Sequence, residues 1–431
     1  MLIKRDFYLK KIIEKKENGR VKIITGIRRC GKSYLLFKLY KDYLLSQNIK
    51  EEQIITIALD EIDNIEYRNP FRLNEYIKEK TKNKNTQYYI FIDEIQFSNS
   101  VENPYLQNKS KDVTFIDVLI GLMKQPNIDI YVTGSNSKML SKDILTQFRD
   151  RGDEIHVHPL SYSEIYDLYE DKSQAMENYM VYGGMPYIYT LTNYEEKSRY
   201  LKNLFEETYI KDIIERNNIQ NEKEVLEILL NFISSTIGSL TNPNKLSNRF
   251  DSENKLKISS NTISKYLNYF EEAYIISKIN RYNIKGSRYF STPLKYYFAD
   301  IGLRNARLNF RQIEETHIME NIICNELLRR GYNVDVGIVE YVKNEGEKRK
   351  NIQLEVDFII NKEYKRFYIQ SALNIDSEDK RKQEIESLKR IEDSFQKIVI
   401  VRNKIIPRRD ENGILYIGLE QFLLDENSLN L

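Results

Sequence analysis

The sequence predicts an α/β protein whose first 165 residues form a five-stranded parallel sheet. Three observations predict this fold. Five short β-like runs alternate with helical patterns, as a parallel sheet with crossover helices requires. A glycine-containing loop follows the first run and precedes a helical pattern, and two adjacent acids follow the third run. The expected strands are residues 21–25, 53–59, 88–92, 128–133 and 154–158.

The composition indicates a cytoplasmic protein of several domains. The chain has 431 residues, enough for two to four domains with separate cores. Its two cysteines, Cys30 and Cys324, cannot form a disulfide framework, which fits a reducing cytoplasm. No apolar stretch approaches the length that spans a bilayer, and the first residues do not lead into a secretory signal, so no membrane association is expected. The net charge of +2 means that any nucleic-acid surface would be a local patch.

The loop after the first strand reads Gly-Ile-Arg-Arg-Cys-Gly-Lys-Ser at positions 26–33, with the spacing G-x-x-x-x-G-K-S. Between a strand and a helix, the backbone N–H groups of such a loop surround a phosphate, and the helix N-terminus adds its dipole. Lys32 would reach the β- and γ-phosphates of ATP, and the Ser33 hydroxyl would take one position on Mg²⁺. The predicted nucleotide-binding residues are Gly26, Ile27, Arg28, Arg29, Cys30, Gly31, Lys32, Ser33 and Tyr34.

Three side chains inside this loop have two interpretations each. Arg28 and Arg29 would face phosphate or form ion pairs at the helix end. Cys30 precedes a helix, where a thiol can act as a redox switch; the alternative is a small packing residue.

The third strand, residues 88–92, ends in Asp93 and Glu94. Apolar residues followed by paired acids at a strand end match a Walker B motif. Asp93 would hold Mg²⁺, directly or through water, and Glu94 would act as general base toward the water that attacks the γ-phosphate. The alternative is a solvated acidic turn. Together with the loop at 26–33, the motif favours ATP hydrolysis.

The strand expected at 53–59 implies a sheet in which a further strand separates the strands at 21–25 and 88–92, and residues 128–133 would occupy that middle position. This run leads into Gly-Ser-Asn-Ser at 134–137. A small polar side chain there would lie beside the γ-phosphate and position the attacking water. Asn136 is the first choice for this sensor role and Ser135 the second; the alternative is an ordinary turn.

Two arginines, Arg149 and Arg151, are candidates for a finger that enters the nucleotide site of a neighbouring copy. Such an arginine would offset charge on the transferring phosphoryl group, and it would imply a homo-oligomer. The alternative is an ion pair with Asp150, Asp153 or Glu154.

These motifs together resemble a family of prokaryotic AAA-type ATP-binding proteins with an uncharacterised C-terminal domain. The resemblance runs nearly end to end and rests on Gly-Ile-Arg-Arg-Cys-Gly-Lys-Ser (26–33), Asp-Glu-Ile-Gln (93–96), Thr-Gly-Ser-Asn-Ser (133–137), Pro-Leu-Ser-Tyr (159–162), Gly-Gly-Met-Pro (183–186), Asp-Ile-Ile-Glu-Arg (212–216), Tyr-Tyr-Phe-Ala-Asp-Ile-Gly-Leu-Arg (296–304) and Glu-Val-Asp-Phe (355–358). The first two motifs are common to many ATPases, and the ordered set is specific. The resemblance implies an ASCE-type P-loop ATPase, a winged helix and a restriction-endonuclease-like tail. The expected domains are an ATPase domain (1–165), a helical lid or linker (166–220), a winged-helix domain (221–305) and the nuclease-like domain (306–431).

Residues 259–290 are the candidate DNA-binding module. Ser259 would cap a helix whose apolar residues recur at helical spacing, which leaves Lys265 and Asn268 outward for a major groove. A hairpin follows, and Lys278, Arg281, Lys285 and Arg288 would contact phosphates from it. Residues 221–300 carry 11 lysines and arginines against 8 acids, a surplus too small to exclude the alternative of a protein-interaction or oligomer surface.

The tail is similar to the PD-(D/E)xK nucleases in the order of Glu320, Asp357 and a strand ending in Gln370-Ser371-Ala372. In those nucleases an acid pair and an E-x-K strand build a Mg²⁺ site with a lysine. Gln370 would ligate a metal only weakly, and Ala372 supplies no charge to stabilise the transition state. The expectation is a degenerate site without nuclease activity. Lys380 or Lys382 on the next helix is the only replacement lysine that the sequence offers.

Three functions follow in order of preference. The first is a Mg²⁺-dependent ATPase whose C-terminal half engages DNA or a protein partner according to the bound nucleotide. The second is a nucleotide-dependent scaffold with little turnover, and the third is a Mg²⁺-dependent DNA nuclease.

Overall fold

The computed structural model describes residues 3–105, 112–135, 152–219, 223–311, 314–345 and 348–431. The chain divides into two compact units. One consists of Met1–His158 with Glu272–Tyr274, and the other of Pro159–Glu271 with Ile275–Leu431. Across the described ranges, no helix is both long enough and apolar enough to cross a membrane.

The first unit is built on a parallel five-stranded sheet. Its strands are β1 (Val21–Thr25), β2 (Ile54–Ala58), β3 (Tyr88–Asp93), β4 (Ile128–Thr133) and β5 (Gly152–His156). Their order is β2-β3-β4-β1-β5, and every neighbouring pair is parallel. β4 therefore lies between β1 and β3, which confirms the predicted strand order. The observed β2 and β5 begin or end one or two residues away from the predicted bounds.

Every residue of β1, β3 and β4 is buried, as expected for the inner strands of a parallel sheet, which accounts for their mainly apolar and aromatic residues. The helices of this unit are α1 (Asp6–Glu14), α2 (Lys32–Tyr34), α3 (Lys41–Ser46), α4 (Pro70–Lys80) and α5 (Phe115–Leu122). A π-helical stretch, Leu35–Tyr40, joins α2 to α3 without a break. Asn69 begins α4 as its N-cap, since its side-chain oxygen accepts from the Phe71 N–H at 2.9 Å. The apolar faces of α4 and α5 pack on the sheet around Leu73, Ile77 and Leu119.

The second unit begins with helices and continues into a large mixed sheet. Its helices are α6 (Tyr162–Tyr166), α7 (Lys172–Tyr182), α8 (Tyr194–Asn203), α9 (Lys211–Asn217), α10 (Lys223–Ser235), α11 (Pro243–Asn254), α12 (Ser260–Glu272), α13 (Ile301–Arg307), α14 (Glu315–Arg329), α15 (Glu378–Lys389) and α16 (Leu419–Leu424). Its strands are β6 (Ile276–Asn283), β7 (Arg288–Phe298), β8 (Asn333–Glu345), β9 (Lys348–Lys362), β10 (Lys365–Ala372), β11 (Gln396–Val401), β12 (Arg408–Arg409) and β13 (Leu415–Gly418). The sheet order is β12-β13-β11-β10-β9-β8-β6-β7.

The hairpin expected to be a wing is instead part of this sheet. β6 and β7 are antiparallel, as predicted, but β6 also pairs in parallel with β8, with Asn280 opposite Asp335 and Asn283 opposite Ile338. The expected boundary between residues 305 and 306 thus divides a single sheet. The sequence could not show this because the pairing joins segments more than 50 residues apart, and a local turn signal carries no information about it.

Candidate nucleotide-binding site

The loop between β1 and α2 has a backbone that demands glycine at its two ends. Gly26 has a φ of 141°, and a Cβ added there would lie 2.2 Å from the carbonyl oxygen of Val157. Gly31 has a φ of 98° and directly precedes α2. Both positions lie in the left-handed region that favours glycine. The spacing read from the sequence is therefore a requirement of the local fold.

The Lys32 side chain packs against the backbone of the loop at 26–33. Its side chain is buried, and its Nζ donates to the carbonyl oxygens of Gly26 at 3.0 Å and Ile27 at 3.2 Å. These carbonyls hold the ammonium group at the centre of the loop. A lysine in this position can offer a point charge to a phosphate without first being brought in from solvent.

Asp93 and Glu94 lie at the carboxyl end of β3, where Thr133 at the end of β4 joins them. The Thr133 hydroxyl donates to Asp93 Oδ1, and the Thr133 hydroxyl oxygen accepts from the Glu94 N–H at 3.1 Å. Glu94 has a φ of 50°, a left-handed conformation that is uncommon for a residue other than glycine. Thr133 was missed as a site residue by the sequence prediction. The sequence feature that could have indicated it is its position directly before the Gly-Ser-Asn-Ser segment at 134–137.

Glu94 is partly buried at this end of the sheet. Burial raises its pKa above the usual value; the positive charge of Lys32 opposes this effect, and the charge of Asp93 adds to it. Arg28 also lowers the pKa from the loop side. The structure thus brings the two sequence motifs into one site. A carboxylate with a raised pKa is a stronger base than an exposed one, which suits the general-base role.

Gln96 is a second residue that the sequence prediction did not assign. Its Nε2 donates to Glu94 Oε2 and, at 3.3 Å, to the hydroxyl of Ser135. Its Oε1 is buried and has no hydrogen-bond partner within the described part of the chain. Gln96 therefore orients the Glu94 carboxylate through its amide N–H, while its own amide oxygen accepts no hydrogen bond from the described residues. Its place two residues after Glu94 in Asp-Glu-Ile-Gln was the signal that could have found it.

Arg5, before α1, holds the loop against the end of β5. It is almost fully buried, and it donates to the carbonyl oxygens of Cys30 and His158, each at 2.8 Å. Its guanidinium lies over the Tyr8 ring, 4.6 Å from the centroid, and the Tyr8 hydroxyl accepts from the His158 N–H at 3.1 Å. No sequence pattern near Arg5 indicates this long-range contact.

The remaining predicted loop residues have mixed environments. Cys30 is buried and its thiol donates to the Val157 carbonyl at 3.2 Å, which fits the packing interpretation. Arg29 and Ser33 are exposed, and Tyr34 is partly buried. The sensor candidate Asn136 and the finger candidates Arg149 and Arg151 lie outside the described residues.

The candidate DNA-binding residues lie in the second unit, and the structure contradicts one of them. Lys265, Asn268 and Arg288 are exposed, while Lys285 is exposed but pairs with Glu392 at 3.2 Å. Arg281 is only 6% exposed, with its guanidinium over the Phe290 ring. The prediction that Arg281 contacts a phosphate is wrong for this fold, because β6 lies inside the sheet and its side chain packs there.

The three residues predicted as a degenerate nuclease site lie on facing elements. Glu320 is on α14, Asp357 on β9 and Gln370 on β10, with Glu320 and Asp357 buried. The predicted replacement lysines, Lys380 and Lys382, are exposed on α15. The lysine at this site is instead Lys295 of β7, 3.4 Å from Glu320. Sequence reasoning missed it because β7 was assigned to another domain.

Comparison with known proteins agrees with the geometry of the first unit. Residues 18–166 match the model of an AAA domain, and residues 173–314 match a domain of unknown function (DUF8612). An uncharacterised protein of Haemophilus influenzae is 32% identical over 429 residues, which is 98% of this chain and 99% of that protein. An uncharacterised protein of Methanocaldococcus jannaschii is 31% identical over 442 residues, with 99% of this chain and 88% of that protein covered.

Two solved structures align with this chain at low sequence identity. The Walker-type ATPase of Pyrococcus abyssi aligns with a TM-score of 0.47 and 14% identity, over 71% of this chain and 96% of that chain. The Aeropyrum pernix ORC1 protein, solved in complex with DNA, aligns with a TM-score of 0.31 and 10% identity, over 72% of this chain and 93% of that chain. The P-loop geometry, the AAA-domain match and the two full-length relatives converge: the chain belongs to a family of AAA-type P-loop ATPases that includes these bacterial and archaeal proteins.

Proposed function

We propose that the chain is a Mg²⁺-dependent ATPase, and that the bound nucleotide changes how its second unit engages DNA or a protein partner. The observation that carries the ATPase proposal is the meeting of Lys32 and Glu94. Burial raises the pKa of Glu94 above its usual value, and the nearby charge of Lys32 offsets only part of this rise. A phosphate-binding lysine and a partly buried carboxylate at one point of the sheet are the two groups that hydrolysis of a phosphoanhydride needs.

The side chains divide the work as follows. Lys32 binds the β- and γ-phosphates, and Glu94 accepts a proton from the attacking water. Ser33 and Asp93 are a hydroxyl and a carboxylate, the oxygen ligands that Mg²⁺ prefers, and they would hold the ion, which supplies positive charge to the phosphate oxygens. Thr133 fixes Asp93 through the bond between its hydroxyl and Oδ1. Gln96 fixes Glu94 in the same way.

Lys32→Ala tests nucleotide binding. We expect ATP affinity to fall about 10-fold or more, because hydrogen bonds to charged groups contribute roughly 1.5–3 kcal/mol. The measurement is titration with a fluorescent ATP analogue. The control is Lys38→Ala, which removes an exposed lysine from the same continuous helix. Equal ATP affinity in the two variants would contradict the proposed site.

Gln96→Ala tests the positioning of Glu94. The hydrogen bond from Gln96 lowers the pKa of Glu94, so its removal should shift the acidic limb of the kcat–pH profile to higher pH. KM for ATP should change little, because Gln96 contacts none of the loop residues that bind phosphate in this proposal. The comparison is Gln53→Ala, since the Gln53 side chain donates to the Gln87 carbonyl and accepts from the Lys50 N–H, both outside the site. An unchanged acidic limb would show that Gln96 has no such role.

A gel shift with and without ATP tests engagement of DNA by the second unit. Lys265 on α12 and Arg288 at the start of β7 are exposed cations available for phosphate contacts. Replacing both with alanine should weaken DNA binding and reduce the salt dependence by roughly one unit of slope per contact. Replacement of the exposed Lys10 and Lys82 serves as the control. If the protein does not bind DNA, or if replacing Lys265 and Arg288 does not weaken binding, the DNA part of the proposal is contradicted. The proposal then reduces to engagement of a protein partner.

We further propose assembly that depends on nucleotide. An arginine finger from Arg149 or Arg151 requires a second copy of the chain at the γ-phosphate. The molar mass in solution should therefore increase when a slowly hydrolysed ATP analogue is added. A molar mass that is the same with and without the analogue would contradict the proposed arginine finger.

A further inference from the structure

A largely buried charge cluster lies in the sheet of the second unit. Three carboxyl groups contribute to it: Glu320 of α14 and Glu355 and Asp357 of β9. Lys295 of β7 lies among them, with its Nζ 2.7 Å from Glu355 Oε1 and 3.4 Å from Glu320 Oε2. The lysine side chain is 4% exposed, so these carboxylates replace the water that would otherwise surround its ammonium group.

The neighbouring groups hold each acid in place. The Tyr297 hydroxyl donates to Glu320 Oε2 at 3.1 Å, and the Ser371 N–H donates to Asp357 Oδ2 at 2.8 Å. The backbone at Gly238 closes over Glu320, since a Cβ there would lie 2.9 Å from Oε2. Glu320 and Asp357 are therefore held in buried positions, while the Glu355 side chain is 31% exposed.

The electrostatics agree with a permanently charged lysine. Burial alone lowers the pKa of Lys295, but the charges of Glu320, Asp357 and Glu355 more than offset it, so the pKa is raised. Burial raises the pKa of Asp357 strongly, the charge of Glu320 adds to this, and Lys295 opposes it. The ammonium group is thus the positive charge that keeps this acidic cluster compatible with burial.

The residues present do not fit a divalent cation. Mg²⁺ requires oxygen ligands at roughly 2.0–2.1 Å in octahedral geometry, and an ammonium group already in contact with two of the carboxylates repels such an ion. Next to Asp357, β10 presents the neutral amide of Gln370. In the described ranges, no group of three histidine, cysteine or acidic side chains is arranged to hold a metal ion.

We propose that the Lys295 ammonium is the resident cation of the Glu320–Glu355–Asp357 cluster, and that it makes this half of the chain independent of metal. The cluster then stabilises the junction of β7, α14 and β9 and does not cleave phosphodiester bonds. Lys295 also takes the place of a metal ion as the link between the β6–β7 hairpin and β9.

The test measures thermal unfolding of the full chain, without ATP, in the presence and absence of Mn²⁺. Every variant carries Asp93→Asn, which removes a carboxylate ligand from the nucleotide site. With Lys295 intact, Mn²⁺ should leave the melting midpoint unchanged. With Lys295→Met, the carboxylates lose their ammonium partner and should bind Mn²⁺, which raises the midpoint by about 2–4 °C or more. Adding Asp357→Asn should abolish that shift, and Lys278→Met on the neighbouring β6 should not reproduce it.

Two results would overturn the proposal. One is stabilisation by Mn²⁺ with Lys295 intact that Asp357→Asn removes; the other is a folded Lys295→Met variant that Mn²⁺ does not stabilise. If Lys295→Met does not fold, direct Mn²⁺ titration and plasmid cleavage with Lys295 intact decide the question. Saturable binding or nicking that Asp357→Asn removes contradicts the proposal, and the absence of both supports it.

Discussion

Replacing Glu94 with glutamine is expected to lower the ATP turnover number by about 10²–10⁴-fold while ATP binding is retained, the range that a positioned general base contributes. Glutamine keeps the size of the side chain and an acceptor for the Gln96 amide, but it cannot take a proton from water. The Lys32 ammonium and the loop that carries it are unchanged by the substitution. The measurement is steady-state phosphate release together with the dissociation constant of a fluorescent ATP analogue.

The control for this variant is Glu79→Gln, which makes the same chemical change at an exposed position on α4. The parent protein gives a second check. Because burial raises the pKa of Glu94, the ATPase activity of the parent protein should fall on acidification at a higher pH than a fully exposed glutamate would give. The pH profile of Glu94→Gln should lack this acidic limb. Hydrolysis at the parent rate in Glu94→Gln would remove Glu94 from the general-base role.

Lys22→Met is expected to destabilise the first unit by about 3–5 kcal/mol, the cost of breaking a buried ion pair by removal of one partner. Lys22 on β1 forms an ion pair with Asp129 on β4, and the two side chains are 0% and 3% exposed. The Tyr131 hydroxyl also donates to Asp129, at 2.6 Å, and bonds to the Tyr40 hydroxyl. Without Lys22, the buried Asp129 carboxyl group would lose the cation that pairs with it.

The measurement is the urea midpoint of the transition that reports on the first unit, at an unchanged m-value. Arg72→Met is the matched control, because Arg72 pairs with Glu75 where both side chains are about two-thirds exposed, and such pairs contribute roughly 0–1 kcal/mol. The double variant Lys22→Met/Asp129→Leu should recover much of the loss, since no charge is then left unpaired. A loss within 1 kcal/mol for Lys22→Met alone would show that the pair contributes little.

The parts of the site that the sequence predicts are those encoded by contiguous residues. The glycines at 26 and 31 are required by local backbone conformation, so their spacing identifies the loop before any tertiary contact is known. The position of β4 between β1 and β3 could be predicted because the sequence shows an additional strand, β2, between the loop at 26–33 and β3. Thr133 and Gln96 could not be assigned in this way, because their contacts depend on the relative placement of β3 and β4 and of the turn after β3. Arg5 reaches Cys30 and His158 across 25 and 153 residues, and no local pattern encodes such a contact.

In the second unit, the prediction failed where it treated a hairpin as independent. A wing would have one face in solvent, and on that basis Arg281 was assigned to phosphate. Because β8 pairs with β6, the strand instead lies within a sheet, and Arg281 is buried. Lys295 was overlooked for the same reason. It faces acids on α14 and β9 only because β7 belongs to the same sheet as β9.

The pairing of β6 with β8 also governs how the chain can be dissected. A fragment that ends near residue 305 would contain α12 and the hairpin but not β8, so the four residue pairs from Asn280–Asp335 to Asn283–Ile338 would be lost. The unpaired N–H and C=O groups of β6 would then form an open template for the strand of another molecule, which is the usual origin of edge-to-edge aggregation. A fragment that begins at Pro159 instead keeps the eight-stranded sheet of the second unit intact, and it also carries Glu272–Tyr274, which belong to the first compact unit.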